Sequence, residues 1–291
     1  MPDSVPQPIM EIVSPAPAPQ GHWIKRAAVA LFVERRLPYR LAQPFDKIVA
    51  TLGWRHKIVK ANGLRLKIHR MTADERIVWN IIVNREYTPP GFEVRETDTV
   101  IDIGANIGIF SLMAARAASR GRVVAFEPSG QNHHLFLRNI QLNRASNVVP
   151  VHAAVGAGPG EIKLFLSEAS LHSVVADRMV SPDRFEVVRS VGLKDVFDQH
   201  GIERCHFLKL DCEGAEYDIL YNLPPDYFGR VDRIVMEFHG VADPAARRAE
   251  SDRLVAHLQR MGFAIAAYVE FPPPFRGGWI RAIRRGLAGA V

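Results

Sequence analysis

The chain has 291 residues, 47% apolar and 23% charged, with a formal net charge of +6 and a pI near 9.5. This suits one large domain with appendages and a full core, and without a run of about 18 apolar residues it gives no reason to expect a membrane span. Its two cysteines, Cys205 and Cys212, make no disulfide framework and suit a reducing cytoplasm, while the basic balance favours phosphate or anionic lipid without choosing between them.

The Pro/Ala-rich start (residues 1–21) has no basic opening and no apolar block, so it reads as a disordered arm rather than a secretory signal. An N-terminal extension follows over 22–95, a possible cover for substrate. In it, "HWIKRAAVALFVERRL" (22–37) has Trp23, Ile24, Ala27, Ala28, Leu31 and Phe32 on one side of a helix, with Lys25, Arg26, Arg35 and Arg36 around the rest. Such a helix packs on the domain or lies on a membrane surface. Residues 56–69 read as a hairpin turning at "ANG" (61–63), and 74–86 as a helix that stops before "TPPG".

From residue 98 strands and helices alternate. Strands are expected at 99–104, 122–128, 147–155, 206–211, 233–239 and 263–269, with helices at 107–119, 129–143, 192–200, 215–223 and 244–261. Short extra strands fit 160–166 and 186–191, and "NLPPDY" (222–227) reads as a helix stop. The expected architecture is α/β: a Rossmann-like, doubly wound, mostly parallel sheet over 96–271, with a helical and hairpin extension before it. The basic tail 272–291 offers a last strand or, through Arg276, Arg281, Arg284, Arg285, Trp279 and Ile280, a contact with an anionic membrane.

In such sheets ligands bind beyond the carboxyl ends of the strands, where strand order reverses. The first strand ends in "DIGANIG", where small residues let the backbone approach a ligand and Gly104 can take a positive φ. Asn106 stands where a GxGxxG fingerprint has its second glycine, which argues against a pyrophosphate and an NAD-dependent oxidoreductase. The next strand ends in "FEP", so Glu127 lies nineteen residues after Gly108, where a carboxylate can accept both hydroxyls of a ribose.

The stretches "VIDIGANIGIFSL", "AFEP", "NIQLNRASNV", "HAAVG", "LKLDCEGAE" and "MEFH", in that order over about residues 95–270, resemble the FkbM family of S-adenosylmethionine-dependent methyltransferases. The resemblance implies a seven-stranded methyltransferase sheet and transfer of a methyl group to a hydroxyl, of a glycolipid, polysaccharide or other glycoconjugate sugar or of a polyketide. It implies S-adenosyl-L-methionine as cofactor. Gly104, Asn106 and Gly108 would wrap the methionine part, with Asp102 near its amino group; Glu127 would hold the ribose, and His152, Ala153 and Ala154 would lie beside adenine.

Three carboxylates in "LKLDCEGAE" remain to be placed. Glu213 and Glu216 open a helix, where the dipole favours negative charge, so capping is one reading of both. Asp211 ends its strand, and Glu237 and His239 share a face of the adjacent one. The three form a candidate divalent-cation site, or a base with substrate clamps. Asp211, His239, His172 and Glu237 are therefore the catalytic candidates, His172 lying in the polar stretch 168–173. Lys209, on a core strand, needs an acidic partner. The strand end lacks the [DNS]PP[YFW] pattern of nucleobase methylation, so the expected partner is a small or lipid-linked acceptor rather than a nucleic acid. A binding module without catalysis is the non-enzymatic alternative, against which the acidic and histidine cluster speaks.

Overall fold

The computed structural model describes residues 55–70, 72–166, 184–241, 243–272 and 275–287, and the backbone of 11–13. The expected helix at 22–37 and His172 lie outside these residues. The first described elements are β1 (Glu11–Val13), β2 (His56–Ala61) and β3 (Leu64–His69), an antiparallel sheet in that order. Three residues of the Pro/Ala-rich arm, where no strand was expected, thus pair along β2 from Glu11 to Val13. The hairpin turns at Asn62 and Gly63, both left-handed (φ +46° and +75°), as a two-residue turn between strands requires.

Helix α1 (Asp74–Val78) runs into a π-helical turn, Trp79–Val83, so the helix expected at 74–86 changes its winding half-way. Then come β4 (Thr99–Ile103), α2 (Ile109–Ala117), β5 (Arg122–Phe126), α3 (Gly130–Asn143) and β6 (Val148–Val151). The strand expected at 147–155 is broken. β7 (Ala154–Gly156) turns away to join β8 (Gly160–Phe165) and β9 (Phe185–Gly192) in a separate three-stranded sheet. β6 contains Pro150 and is an edge strand, the position where a missing N–H is tolerated.

The chain continues through α4 (Leu193–Gln199), β10 (Phe207–Leu210), α5 (Glu216–Tyr221), α6 (Pro225–Phe228) and β11 (Arg233–His239). Helix α7 (Pro244–Arg260), β12 (Phe263–Glu270) and β13 (Gly277–Arg284) close the domain. In "NLPPDY" one helix ends and Pro225 opens the next turn.

Seven strands form the main sheet in the order β12-β13-β11-β10-β4-β5-β6. Strands β6, β5, β4, β10 and β11 are parallel neighbours, and β13 is antiparallel to both β11 and β12. This is the expected Rossmann-like, mostly parallel sheet. Its order reverses between β4 and β10. β4 and β10 are buried along nearly their whole length, as central parallel strands covered on both faces must be. Ile101, Ile103, Leu208 and Leu210 point into the core beneath α4, α5 and α7, while Val100 and Phe207 point into the core beneath α2 and α3.

Val59, Leu66, Ile68, Val78, Ile81, Ile82 and Tyr87 of the extension share this second core. The hairpin is also tied to α3 through side-chain amides. Asn139 accepts from Lys67 N (2.6 Å) and donates to Lys67 O (3.0 Å); Asn143 does the same for Arg65 N (2.8 Å) and O (2.7 Å). Two asparagines one helical turn apart thus take the place of a further strand on the free edge of β3.

The tail reading is corrected toward the sheet. Trp279 and Ile280, the apolar residues a membrane contact would use, are buried in β13. The Arg281 and Arg284 guanidinium groups donate to Glu86 O (2.9 Å) and Val231 O (2.8 Å). Among the described residues no helix is long and apolar enough to cross a membrane.

Candidate active site

A cleft of about 350 Å³ opens at the carboxyl ends of β4, β5, β10 and β11, across the point of order reversal. The turn after β4 forms its floor. Gly104 (φ +79°) and Asn106 (φ +53°) line it, and Gly104 N and Ala105 N donate to Phe126 O at 3.0 and 2.9 Å. A Cβ on Gly104 would lie 1.8 Å from Asp211 O, so the glycine is required by the neighbouring strand end whatever ligand binds. Gly108 does not line the cleft. A side chain there would enter the Phe136 ring, which makes it a packing residue between α2 and α3 and corrects its expected place around a ligand.

Glu127 lines the cleft with its carboxylate fixed by two backbone donors, Asn106 N at 2.7 Å and Ser129 N at 2.9 Å. Burial pushes its carboxyl up to about 7, against the pull of those two N–H groups. Ala153 and Ala154 line the same end. His152 does not: it is exposed, donates to Pro128 O (3.0 Å) and stacks on His133 at 4.8 Å, away from the cavity.

Asp102 also differs from its expected place. It is fully buried below the cleft, where Oδ2 accepts from Ser111 Oγ (2.5 Å) and Oδ1 pairs with Lys209 Nζ (3.0 Å). Lys209, as expected, has acidic partners. It donates to Gly104 O (2.7 Å), stands 3.9 Å from Asp211 Oδ2 and lies 5.2 Å from the centre of the Tyr87 ring. Burial disfavours its charge, but Asp102 and Asp211 more than restore it and raise its pKa. The Lys209 ammonium therefore links the carboxylates at the ends of β4 and β10.

At the other end Asp211 Oδ2 accepts from Tyr87 Oη at 2.6 Å. Glu216 is fully buried and accepts from Cys212 N (3.0 Å), Gly214 N (3.1 Å) and His239 Nδ1 (3.0 Å). It therefore closes the loop 212–214 rather than responding to the helix dipole alone. Glu213, left-handed at φ +54°, is no helix cap: its Oε2 faces His239 Nε2 at 3.3 Å. Glu237 Oε1 lies 3.7 Å from the same nitrogen. Burial works against charge on His239, yet Glu213 and Glu216 raise its pKa well above the ordinary value. Both ring nitrogens already face carboxylates, Nδ1 that of Glu216 and Nε2 that of Glu213, which argues against His239 as the base.

Asp211, Glu213 and His239 bring one candidate ligand atom each within 4.8 Å of one another. The geometry substitutes Glu213 for Glu237 in the expected cation trio. A cation there would need His239 as the neutral imidazole, so its binding would compete with protonation of the ring.

The remaining walls come from residues the sequence did not place in a site. Arg76, Ile77, Asn80, Ile81, Glu86 and Tyr87 of the extension line the cleft, and Phe271, Phe275 and Trp279 face them. Trp279 packs edge-on against Tyr87 (5.0 Å between ring centres) and Phe271 (6.2 Å). No spacing or motif marks "REYTPP" as part of a site; only the core shared by the extension and the sheet brings it there.

Residues 102–265 match the Methyltransferase FkbM domain. The chain belongs to the FkbM methyltransferase family. It is a methyltransferase dependent on S-adenosylmethionine, which sets aside the oxidoreductase and the non-catalytic module. The chain is 28% identical over 242 residues to the AMB antimetabolite synthetase AmbE of Pseudomonas aeruginosa, covering 70% of this chain and 11% of AmbE. It is 27% identical to Methyltransferase 1 of Beauveria bassiana, over 57% of this chain and 72% of that protein. It is also 27% identical to the 31-O-demethyl-FK506 methyltransferase FkbM of Streptomyces tacrolimicus, over 70% of this chain and 86% of that one. Among solved structures, M. jannaschii TYW2 in complex with AdoMet superposes with a TM-score of 0.45 at 18% identity, covering 79% of this chain and 87% of that chain.

The residues present fit the cofactor. A fixed carboxylate, a turn of small residues and two alanines line one end of a cavity whose other end is polar and aromatic.

Proposed function

We propose that this FkbM methyltransferase is an O-methyltransferase whose acceptor is a hydroxyl on a small molecule with an extended apolar face. The observation that carries the reading is the continuity of the cleft, from Glu127 at one end to Asp211, Glu86 and Glu237 beneath an aromatic wall at the other. S-adenosylmethionine supplies a methyl group activated by its bond to a positively charged sulfur. Glu127, oriented by two N–H donors, would accept the ribose hydroxyls in its ionised form. Gly104 and Asn106 would bound the methionine part, and Ala153 and Ala154 the adenine. Asp102 would act from below, by fixing Lys209, rather than by touching the cofactor.

For the acceptor, Ile77, Ile81, Phe271, Phe275 and Trp279 offer apolar faces, and Asn80 and the carboxylates accept hydrogen bonds. A polyketide hydroxyl meets both demands, and the relative named 31-O-demethyl-FK506 methyltransferase supports that class. A sugar hydroxyl of a glycolipid or polysaccharide is the second reading. It is favoured by carboxylates set beside aromatic rings, which together suit vicinal hydroxyls and ring C–H faces. Alignment of the acceptor oxygen is the largest demand of the reaction, and a rigid two-sided cleft serves it.

The test is mass spectrometry of small-molecule, glycolipid, polysaccharide and RNA-nucleoside fractions from a strain lacking the gene, paired with transfer of radiolabelled methyl to those fractions in vitro. The reading expects one methyl group missing from a polyketide or sugar and label entering that fraction alone. Label confined to RNA would overturn it.

A further inference from the structure

We propose that Glu86, carried by the segment that precedes the methyltransferase sheet, takes the proton from the acceptor hydroxyl. The proposal rests on the O-methyl-transfer reading above.

The first support is availability. Glu86 lines the cleft together with Asp211, Glu213 and Glu237. Around it, Asp211 accepts from the Tyr87 hydroxyl, Glu127 accepts from two backbone donors, and Glu213 and Glu237 face His239 Nε2, their carboxyls pushed up by burial to about 7 and about 8. Among the described residues no hydrogen bond or ion pair occupies the Glu86 carboxylate. It therefore keeps lone pairs for an incoming O–H.

The second support is positioning. Glu86 N donates to Asn80 O (3.2 Å), and Glu86 O accepts from the Arg281 guanidinium (2.9 Å). Arg85, immediately before it, is left-handed at φ +53°, a sparsely populated conformation for a residue with a side chain. Arg85 lines a separate hollow on the other side of the extension, whereas Glu86 and Tyr87 both line the cleft. The strained residue thus sits where the chain delivers two side chains to the site, and Asn106 and Glu213, also left-handed, stand at the opposite walls.

The electrostatics agree. Glu86 is faced by Asp211 and Lys209 from β10, Arg76 from α1 and Arg281 from β13, and it lies in the field of Tyr87 and Glu237. Burial and then Asp211 push its carboxyl up to about 7, against the three cations. A base of that strength is well matched to neutral pH. In the step, the proton passes from the acceptor oxygen to a Glu86 oxygen and the acceptor lone pair bonds the methyl carbon. The carbon–sulfur electron pair stays on sulfur, and the proton then leaves Glu86 for solvent.

The experiment compares wild type, Glu86→Gln, Glu86→Asp and Glu237→Gln, each checked for folding by circular dichroism and for S-adenosylmethionine binding by calorimetry. Isotope-edited NMR of the protein alone follows the carboxyl signal that Glu86→Gln removes, and radiolabelled methyl transfer to an organic extract of the deletion strain is followed from about pH 5.5 to 9 with S-adenosylmethionine saturating at every pH. The expected result is a Glu86 signal titrating near 7 and a wild-type rate that rises with pH through the same range. Glu86→Gln should bind cofactor within about twofold of wild type, lose the pH rise and fall roughly 10²-fold in rate, with partial recovery in Glu86→Asp. A wild-type rate and profile in Glu86→Gln would overturn the proposal, as would loss of the rise in Glu237→Gln alone. Wild type that binds cofactor yet labels only RNA, or nothing, would instead fail the O-methyl-transfer reading and take this proposal with it.

Discussion

Single residues in and around this cleft do different work from neighbours of the same type. Gly104 and Gly108 both have positive φ, but the first makes room for Asp211 O and the second for the Phe136 ring. Glu127 and Glu216 are both buried carboxylates with two backbone donors, yet only Glu127 lines the cavity. We expect Glu127→Gln to weaken S-adenosylmethionine binding by ~1.5–3 kcal/mol, the range for a hydrogen bond to a charged group, as read by calorimetry. Because burial lifts the Glu127 carboxyl to about 7, its ionised form is lost as pH falls through that value. Wild-type affinity should therefore be roughly tenfold weaker at pH 6 than at pH 8, since a proton must first be removed, and the glutamine variant should lack that dependence. Glu216→Ala should destabilise the protein by about 1–3 kcal/mol in urea unfolding, since it leaves Cys212 N, Gly214 N and His239 Nδ1 without their buried acceptor. Glu127 was legible in the sequence because a strand-end carboxylate has one place to be. The partner of His239 was not: Glu216 opens a helix in another element, and only tertiary packing brings it within 3.0 Å.

At the scale of elements, alternation of apolar runs made most strands and helices readable, with β4, β5, β10 and β11 found within a residue or two. The failures have local causes. Residues 147–155 carry one continuous β-forming pattern, but the chain bends between Val151 and Ala154 and pairs with two different sheets, which propensity alone does not record. The asparagines of "NIQLN" were readable as part of a family stretch but not as hairpin anchors, because their partners are backbone groups 72 and 78 positions away. Asn139→Ala should cost ~1–3 kcal/mol, the penalty of leaving buried backbone groups unpaired. Hydrogen exchange should show the Lys67 amide freed selectively, with the Arg65 amide responding in the same way to Asn143→Ala.

For the molecule as a whole, the extension and the sheet share one core and one cleft, although the sequence divides them near residue 95. The fragment that starts at residue 96 would expose Val100, Phe110 and Phe207 and lose Tyr87 from Asp211. We expect it to lack near-ultraviolet circular dichroism and to bind no S-adenosylmethionine, where an independent domain would keep both. The order of the sheet has a further bearing on how the enzyme comes into being. Strand β12 is made first but lies outermost, and β13, made later, must slot between it and β11. Until that insertion, β11 has a bare flank and Trp279 is missing from the wall opposite Tyr87. The end of the cleft lined by Glu127 can thus assemble ahead of the end walled by Trp279, whose completion waits on a long-range strand closure.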